Sequence, residues 1–340
     1  MPDIISPLAP QIWEVIQKSK NILLHLHPSP DEDSAGSALA FWWALKNLGK
    51  NPTVIVGDSE KPNWLDFFPG GDQVVIKNYF NIHPENFDLF IIVDASSPGQ
   101  ISKIDQIIFP KTLRTIVIDH HHTNQKFAEI NLVETNYPAT GQIIYDLFKL
   151  WKVDITPEIA ACLFAALYFD TGGFKYPLTS SETFQIAGSL AVIYPDFSKL
   201  IFNIENQNDP ENLLFLGLAF SSIERYFHGQ VAIASIAYDQ LQKLSITKKH
   251  TEKMEVSNML KSVIGWNIGI LFVETQPQVI GLSFRTRDPD RYDVSKIAVA
   301  TGFGGGHPGA AGATLKMPFA QAKKLLLDSI AKTYPDLGDL

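Results

Sequence analysis

Acidic and imidazole side chains follow several apolar segments of the sequence. They are His27, Asp31, Asp33, Asp94, Asp119, His120, His121 and, at the end of "ALYFD", Asp170. Carboxylates with a minority of imidazoles suit manganese or magnesium, whereas zinc favours sites dominated by thiolate or histidine. Two such ions held about 3.5 to 4 Å apart can catalyse in-line displacement at phosphorus. The residue types therefore indicate a divalent-cation site that hydrolyses phosphoesters.

The sequence around these residues alternates between segments with the apolar pattern of strands and segments with that of helices. The segments 21–26, 52–57, 88–94 and 114–119 are rich in Ile, Val and Leu and predict buried strands. Between them, residues 34–49 and 139–151 carry apolar residues at helical spacing. This alternation predicts an α/β domain with a parallel sheet and helices on both faces. Ligands bind at the carboxyl ends of such strands, so the acids are expected to meet at one edge.

Each of these residues also has a simpler interpretation. Asp31 or Asp33 could cap a helix, Asp94 could be a loop residue, and the histidines could form a solvated turn. Convergence on one edge favours the metal site. Asp31 and Asp33 could each serve a different ion with Asp94 between them, and two divalent ions would cancel the charge of four carboxylates.

The second half of the chain repeats the strand and helix patterns on a smaller scale. The strand-like segments "GQVAIASIAY", "NIGILFVET" and "QVIGLSFRTR" accompany the helix-like "VSNMLKSVIGW" and "FAQAKKLLLDSIAKTY". We therefore predict a metal-binding domain over 1–190, a helical connector over 191–227 and a smaller α/β domain over 228–340. The last helix of the connector is expected to extend to residue 227.

The block "GFGGGHPGAAG", residues 302–312, is a candidate anion site. It formally contains G-x-G-x-x-G, but a helix-like segment precedes it and Pro308 interrupts it, which disfavours a nicotinamide site. A nest of backbone N–H groups with His307 as a further donor fits better. Arg285, upstream, could bind a phosphate bidentately. The simpler alternatives are a tight turn and ordinary surface charge.

The composition restricts the class of protein. A formal net charge of −8 argues against a broad interface with duplex nucleic acid. The longest apolar run, residues 159–169, is too short to cross a bilayer. The start of the chain has no signal-like segment, and Cys162 is the single cysteine, so we expect a cytoplasmic protein without membrane contact.

Five blocks together resemble the DHH phosphoesterase superfamily, and within it the bacterial oligoribonucleases that also act as pAp phosphatases. They are "HPSPDEDSAGS", "IIVDAS", "VIDHHHTN", "FDTGGFKY" and "GFGGGHPGAAG", in the family's order. The resemblance implies a catalytic DHH domain and a C-terminal DHH-associated domain, with the active site in the cleft between them.

The resemblance also implies a role for each matching residue. His27 and Asp31 would hold one ion, and Asp33, His120 and Asp170 the other. Asp94 would bridge the two ions. The ions are expected to be manganese, with magnesium as the alternative.

The remaining matches concern the substrate. His121 would face the scissile phosphate, with Asp119 orienting the histidines. The substrate's phosphate would be bound by Gly305, Gly306 and His307, with Arg285 nearby.

The leading hypothesis is a manganese-dependent phosphodiesterase that degrades short single-stranded RNA to mononucleotides, with pAp as a further substrate and a homodimer as one assembly to test. The nearest alternative is a phosphodiesterase for linear or cyclic dinucleotides. A RecJ-like exonuclease, a manganese pyrophosphatase, a non-catalytic nucleotide sensor and a nicotinamide oxidoreductase are less favoured.

Overall fold

The computed structural model describes residues 5–58, 60–252 and 256–338. The chain divides into two compact units, Met1–Gln207 and Asn208–Leu340. The division falls inside the predicted connector. The domain bounds 1–190, 191–227 and 228–340 stay a prediction. Within the described residues, no helix has the length and apolar character needed to span a membrane.

A five-stranded parallel sheet forms the centre of the first unit. Its strands are β1 (Asn21–Leu26), β2 (Asn51–Val56), β3 (Leu89–Val93), β4 (Arg114–Asp119) and β5 (Ile130–Val133). Their order is β2-β1-β3-β4-β5, and every neighbouring pair is parallel. The predicted parallel α/β domain is confirmed. The short strand β5 was not predicted, because only half of its residues are buried and its apolar run is brief.

The sheet face that carries Leu23, Phe90 and Val117 is covered by 3-10 turns and loops, so the expectation of helices on both faces was wrong. Six helices of the described residues belong to this unit. They are α1 (Ile5–Lys18), α2 (Glu32–Asn47), α3 (Thr140–Trp151), α4 (Pro157–Asp170), α5 (Ser181–Ile193) and α6 (Phe197–Glu205). Helices α2 and α4 approach closely because Gly36 has no side chain: a Cβ there would lie 2.4 Å from the carbonyl oxygen of Cys162. Both predicted helices, at 34–49 and 139–151, are present. Short 3-10 turns occupy Asn63–Phe67, Gly71–Gln73, Tyr79–Asn81, Pro84–Asn86 and Pro98–Gln100.

The second unit is built on a six-stranded mixed sheet. Its strands are β6 (Ile223–Tyr226), β7 (Val231–Ile236), β8 (Ile268–Gln276), β9 (Val279–Thr286), β10 (Gly304–His307) and β11 (Ala310–Lys316). The order is β10-β11-β9-β8-β7-β6, with β7 and β8 parallel and the other pairs antiparallel. Together the two sheets confirm the predicted fold class.

The helices of the second unit are mostly short. They are α7 (Pro210–Ser221), α8 (Tyr238–Lys243), α9 (Lys248–Glu252), α10 (Val256–Ser262), α11 (Val294–Ala300) and α12 (Phe319–Thr333), and a 3-10 turn follows at Pro335–Leu337. Helix α7 begins after Asp209, its N-cap residue. The expectation that it continues to residue 227 was wrong, because β6 starts two residues after Ser221 and pairs with β7.

The glycine block forms a β-hairpin. Gly304–His307 pairs antiparallel with Ala310–Ala313, so the predicted nest of backbone N–H groups is corrected to an edge strand. Gly306 has φ +147°, and a Cβ there would lie 2.6 Å from the Cα of Ala311. The hairpin therefore requires glycine at this position.

Candidate metal centre

Three neighbouring strands deliver the predicted ligands to one edge of the first sheet. His27 follows β1, Asp94 follows β3, and His120 follows β4. Because β1, β3 and β4 are parallel and adjacent, their carboxyl ends lie side by side. The site thus forms where the strand topology requires it.

His27, Asp31 and Asp94 form the first group of candidate ligands. Nε2 of His27 lies 3.4 Å from Oδ2 of Asp31 and 3.8 Å from Oδ2 of Asp94. The Nδ1 atom of His27 lies 3.2 Å from the carbonyl oxygen of Pro28. A carbonyl oxygen only accepts, so Nδ1 carries the proton and Nε2 is the ring atom that could bind a metal ion.

Asp31 has two functions in this group. Its Oδ1 accepts a hydrogen bond from the backbone N–H of Ser34 at 2.9 Å and caps α2. Its Oδ2 faces His27. Helix capping and a role as candidate ligand are therefore compatible, although the sequence presented them as alternatives.

Asp33, His120 and Asp170 form the second group. Nε2 of His120 lies 3.2 Å from Oδ2 of Asp170 and 4.0 Å from Oδ2 of Asp33. Its Nδ1 lies 3.2 Å from the carbonyl oxygen of Tyr137, which leaves Nε2 as the lone-pair atom, as in His27. In each group, one donor atom per residue lies within 4.8 Å of the others.

Asp94 lies between the two groups. Its Oδ2 faces His27, while its Oδ1 lies 3.7 Å from Nε2 of His120. The backbone at Asp94 has φ +54°, a left-handed conformation that Asp and Asn tolerate better than other side chains apart from Gly. One carboxylate can therefore reach both groups from a fixed position.

The charges at this edge favour a bound cation. Asp33 and Asp94 are 2% and 1% exposed. Burial and neighbouring carboxylates raise the pKa of both well above the ordinary value. Burial, with the charge of Asp31, raises the pKa of Asp170 to about 6. Among the described residues, histidines are the basic side chains within 4.0 Å of these three carboxylates, and no lysine or arginine forms an ion pair with them. Divalent metal ions suit this oxygen-rich, negatively charged donor set.

His121 forms a third candidate group with Asp94 and His120, and its ring is oriented by Asp119. Its Nδ1 lies 2.8 Å from Oδ1 of Asp119, and this hydrogen bond raises the pKa of His121 despite partial burial. The side chain of His121 is 41% exposed, whereas that of Asp119 is fully buried. Asp119 therefore fixes the ring, and His121 presents its other nitrogen outward.

Two functional contacts were not foreseen from the sequence. Nδ2 of Asn124 donates to Oδ2 of Asp119 at 2.6 Å. The hydroxyl of Thr140 donates to Oδ1 of Asp94 at 3.0 Å. The position of Asn124 close to "DHHH" was a usable signal, but nothing in the sequence near Thr140 indicates its partner.

The predicted phosphate-binding residues lie in the second unit. Arg285, on β9, lines a cavity of about 770 Å³ together with Ser283 and Thr314. Gly305, Gly306 and His307 lie on the edge strand β10, and His307 is exposed. The structure presents these groups at an accessible surface of their unit.

Comparison with known proteins assigns the class. The model of the DHH family, N-terminal domain, matches residues 21–167, and that of the DHHA1 domain matches residues 229–334. These ranges cover all of the first sheet and every strand of the second sheet except β6. The chain belongs to the DHH family, and this membership supports a hydrolase that acts on phosphoester bonds.

Individual relatives are similar over nearly the whole chain. The "Bifunctional oligoribonuclease and PAP phosphatase NrnA" of Thermus thermophilus is 26% identical, over 97% of this chain and 98% of its own. The protein of the same name from Bacillus subtilis is 26% identical, over 94% and 96%. An "exopolyphosphatase-related protein" from Bacteroides fragilis has the same fold, with a TM-score of 0.88 at 22% identity over 99% of both chains.

Proposed function

We propose that this DHH-family hydrolase is a manganese-dependent phosphodiesterase that degrades very short oligoribonucleotides to mononucleotides and also removes phosphate from pAp. The observation that carries the proposal is the position of Asp94 between two groups of candidate ligands. Such an arrangement suits two ions that share one carboxylate.

The ligand assignment follows the two groups. His27 and Asp31 would hold one ion, Asp33, His120 and Asp170 the other, and Asp94 both. Divalent ions bound there supply Lewis acidity and lower the pKa of water. Oxygen-rich ligation favours manganese, with magnesium as the alternative.

The chain's own groups complete the site. The neighbouring Asp119 carboxylate keeps His121 protonated to higher pH than a free histidine. The imidazolium can donate a hydrogen bond to a phosphoryl oxygen or a proton to the leaving oxygen. Thus His121 acts as the acid and Asp119 as its positioning partner.

The substrate class follows from the relatives and from the second unit. Both relatives are named as oligoribonuclease and PAP phosphatase. Arg285 and the hairpin with Gly305, Gly306 and His307 supply donors for a terminal phosphate. The net charge of −8 suits short RNA, dinucleotides or pAp better than long duplexes. A cytoplasmic location and a homodimer remain part of the proposal.

The ligand role is tested with Asp94→Asn, because asparagine tolerates the left-handed backbone that this residue adopts. We expect a folded protein with almost no manganese-dependent turnover. The control is Asp328→Asn, an exposed acid on α12 that should retain full activity. Substantial turnover by Asp94→Asn would overturn the ligand role.

The substrate is tested with a panel of pGpG, a five-nucleotide RNA, pAp and pyrophosphate, each with manganese. We expect mononucleotides from both oligonucleotides and AMP from pAp. Turnover of pGpG alone would favour a dinucleotide phosphodiesterase, and turnover of pyrophosphate alone a pyrophosphatase. Nucleotide binding without product would indicate a sensor.

A further inference from the structure

Thr140, the first residue of α3, contacts carboxylates of both ligand groups. Its side-chain hydroxyl donates to Oδ1 of Asp94 at 3.0 Å. Its backbone N–H donates to Oδ2 of Asp33 at 2.7 Å. Thr140 is fully buried, so water does not compete for either hydrogen bond.

Asp33 is held at the start of α3 by further donors. Its Oδ1 accepts from the N–H of Gly141 at 3.0 Å and from the hydroxyl of Ser37 at 3.1 Å. The residue before the helix, Ala139, supplies no side-chain cap. Asp33 therefore satisfies two of the free N–H groups of a helix to which it does not belong.

The orientation of the Asp94 carboxylate depends on Thr140 more than the orientation of the Asp33 carboxylate does. Asp33 receives three hydrogen bonds besides its histidine contact, two of them from backbone N–H groups that a side-chain substitution leaves in place. Asp94 has one side-chain hydroxyl donor among the described residues, which is Thr140. Loss of that hydroxyl would leave the Asp94 carboxylate free to rotate between the two groups.

We propose that Thr140 is a positioning residue that fixes the distance between Asp94 and Asp33, and thereby couples the two ions of the centre. This inference rests on the proposed function, because it requires that the two groups hold metal. Each carboxylate oxygen has lone pairs for both a hydrogen bond and a cation, so the contacts of Thr140 persist with metal bound.

The test compares Thr140→Val with Thr140→Ser. Valine keeps the volume of threonine and removes the hydroxyl, whereas serine keeps the hydroxyl. Thr183→Val is the matched control: Thr183 is also fully buried, and its hydroxyl donates to the amide oxygen of Gln142 at 3.0 Å instead of to a carboxylate. Thr140→Ala serves as a second variant if valine prevents folding, which circular dichroism reports.

The readouts are manganese affinity by titration calorimetry and the electron paramagnetic resonance spectrum of the loaded protein. We expect the wild type, Thr140→Ser and Thr183→Val to bind two ions with a spin-coupled spectrum. Thr140→Val should lose affinity by about 10- to 100-fold and lose the coupling. It should also lower kcat at saturating manganese, with little change in KM.

The outcomes separate the inference from the proposed function. Equal affinity and coupling in Thr140→Val and the wild type would overturn the role of Thr140 and leave the proposed function intact. An equal loss in Thr183→Val would also overturn it, since the effect would then be general destabilisation. A wild type that binds no manganese would instead refute the proposed function.

Discussion

Nδ1 of His121 and Oδ1 of Asp119 lie 2.8 Å apart, and the other oxygen of Asp119 accepts a hydrogen bond from Asn124 at 2.6 Å. Both carboxylate oxygens therefore act as acceptors for fixed donors. An amide at this position cannot accept at both atoms.

Asp119→Asn tests the orientation of His121. We expect kcat to fall by about 10- to 100-fold, because the ring loses its fixed orientation. The hydrogen bond to Asp119 raises the pKa of His121, so activity that needs the imidazolium is lost only as pH rises through this raised pKa. Without the carboxylate, the alkaline limb of the kcat–pH profile should move to lower pH.

The control for this profile is Asp88→Asn. Asp88 accepts hydrogen bonds from the backbone N–H groups of Lys20 and Asn21, at the start of β1, the opposite end of the strand from His27. This variant should lower stability without moving the alkaline limb. An unchanged limb in Asp119→Asn would contradict the role assigned to His121.

His25 predicts how stability depends on pH. It is fully buried, and burial lowers its pKa to about 3. Neither ring nitrogen has a hydrogen-bond partner within the described residues. Below about pH 6.5 the unfolded chain binds a proton at this residue that the folded chain excludes. The free energy of unfolding therefore decreases as the pH is lowered, by up to about 1.4 kcal/mol per pH unit.

His25→Leu should remove this pH dependence. Thermal midpoints of the metal-free protein in EDTA, measured between pH 7.5 and 5.5, should diverge from those of the wild type as pH falls, with the variant more stable. His83→Gln is the control, because the side chain of His83 is 80% exposed. Parallel curves for His25→Leu and the wild type would refute the assignment.

Gly141 allows α3 to approach α4. A Cβ at Gly141 would lie 2.6 Å from the Cβ of Ala166 and 3.4 Å from Oδ1 of Asp33. We expect Gly141→Ala to cost about 1–3 kcal/mol and to weaken manganese binding, because the helix start that holds Asp33 must shift.

Gly188→Ala is the matched control, also a glycine-to-alanine change within a helix. A Cβ at Gly188 meets no described atom within 4 Å, so alanine should stabilise α5 by up to about 1 kcal/mol. Thermal midpoints and calorimetric manganese titrations distinguish the two variants. A Gly141→Ala protein as stable as the wild type would contradict the close approach.

Gly305 tests the phosphate-binding role of the hairpin. A Cβ there meets no described atom within 4 Å, so Gly305→Ala should leave the thermal midpoint unchanged. If backbone at this position contacts substrate closely, the methyl group should raise KM for a short RNA by about tenfold, or ~1.4 kcal/mol. Gly306→Ala should lower the midpoint, because φ is +147° and the Ala311 backbone is close. A wild-type KM in Gly305→Ala would exclude that contact.

The positions of the candidate ligands were predictable because strand periodicity and the carboxyl-edge rule act together. The apolar strands at Asn21–Leu26, Leu89–Val93 and Arg114–Asp119 are short, buried and parallel, so the residues that follow them meet. The sequence did not reveal Thr140 as a contact of the site, because its partners Asp94 and Asp33 are 46 and 107 residues away. Hydrogen bonds between residues so far apart in the sequence depend on how the helices pack, and no local sequence pattern predicts them.

The glycine block shows a different limit. Glycines permit both a nest of backbone N–H groups and a tightly paired hairpin. Which one forms depends on whether a neighbouring strand is available for backbone hydrogen bonding. Ala310–Lys316 is that strand, and it pairs with β10 on one side and with β9 on the other. The expectation of a nest of backbone N–H groups was therefore wrong for a reason that lies in the neighbouring residues.

The order of the ligands along the chain has a consequence for synthesis. All six candidate ligands lie between His27 and Asp170, within the first compact unit, which ends at Gln207. Domains generally fold as units, the N-terminal one first, as the chain leaves the ribosome. If these residues hold metal as proposed, the nascent chain would have its complete set of ligands folded before translation of residues 208–340 is finished.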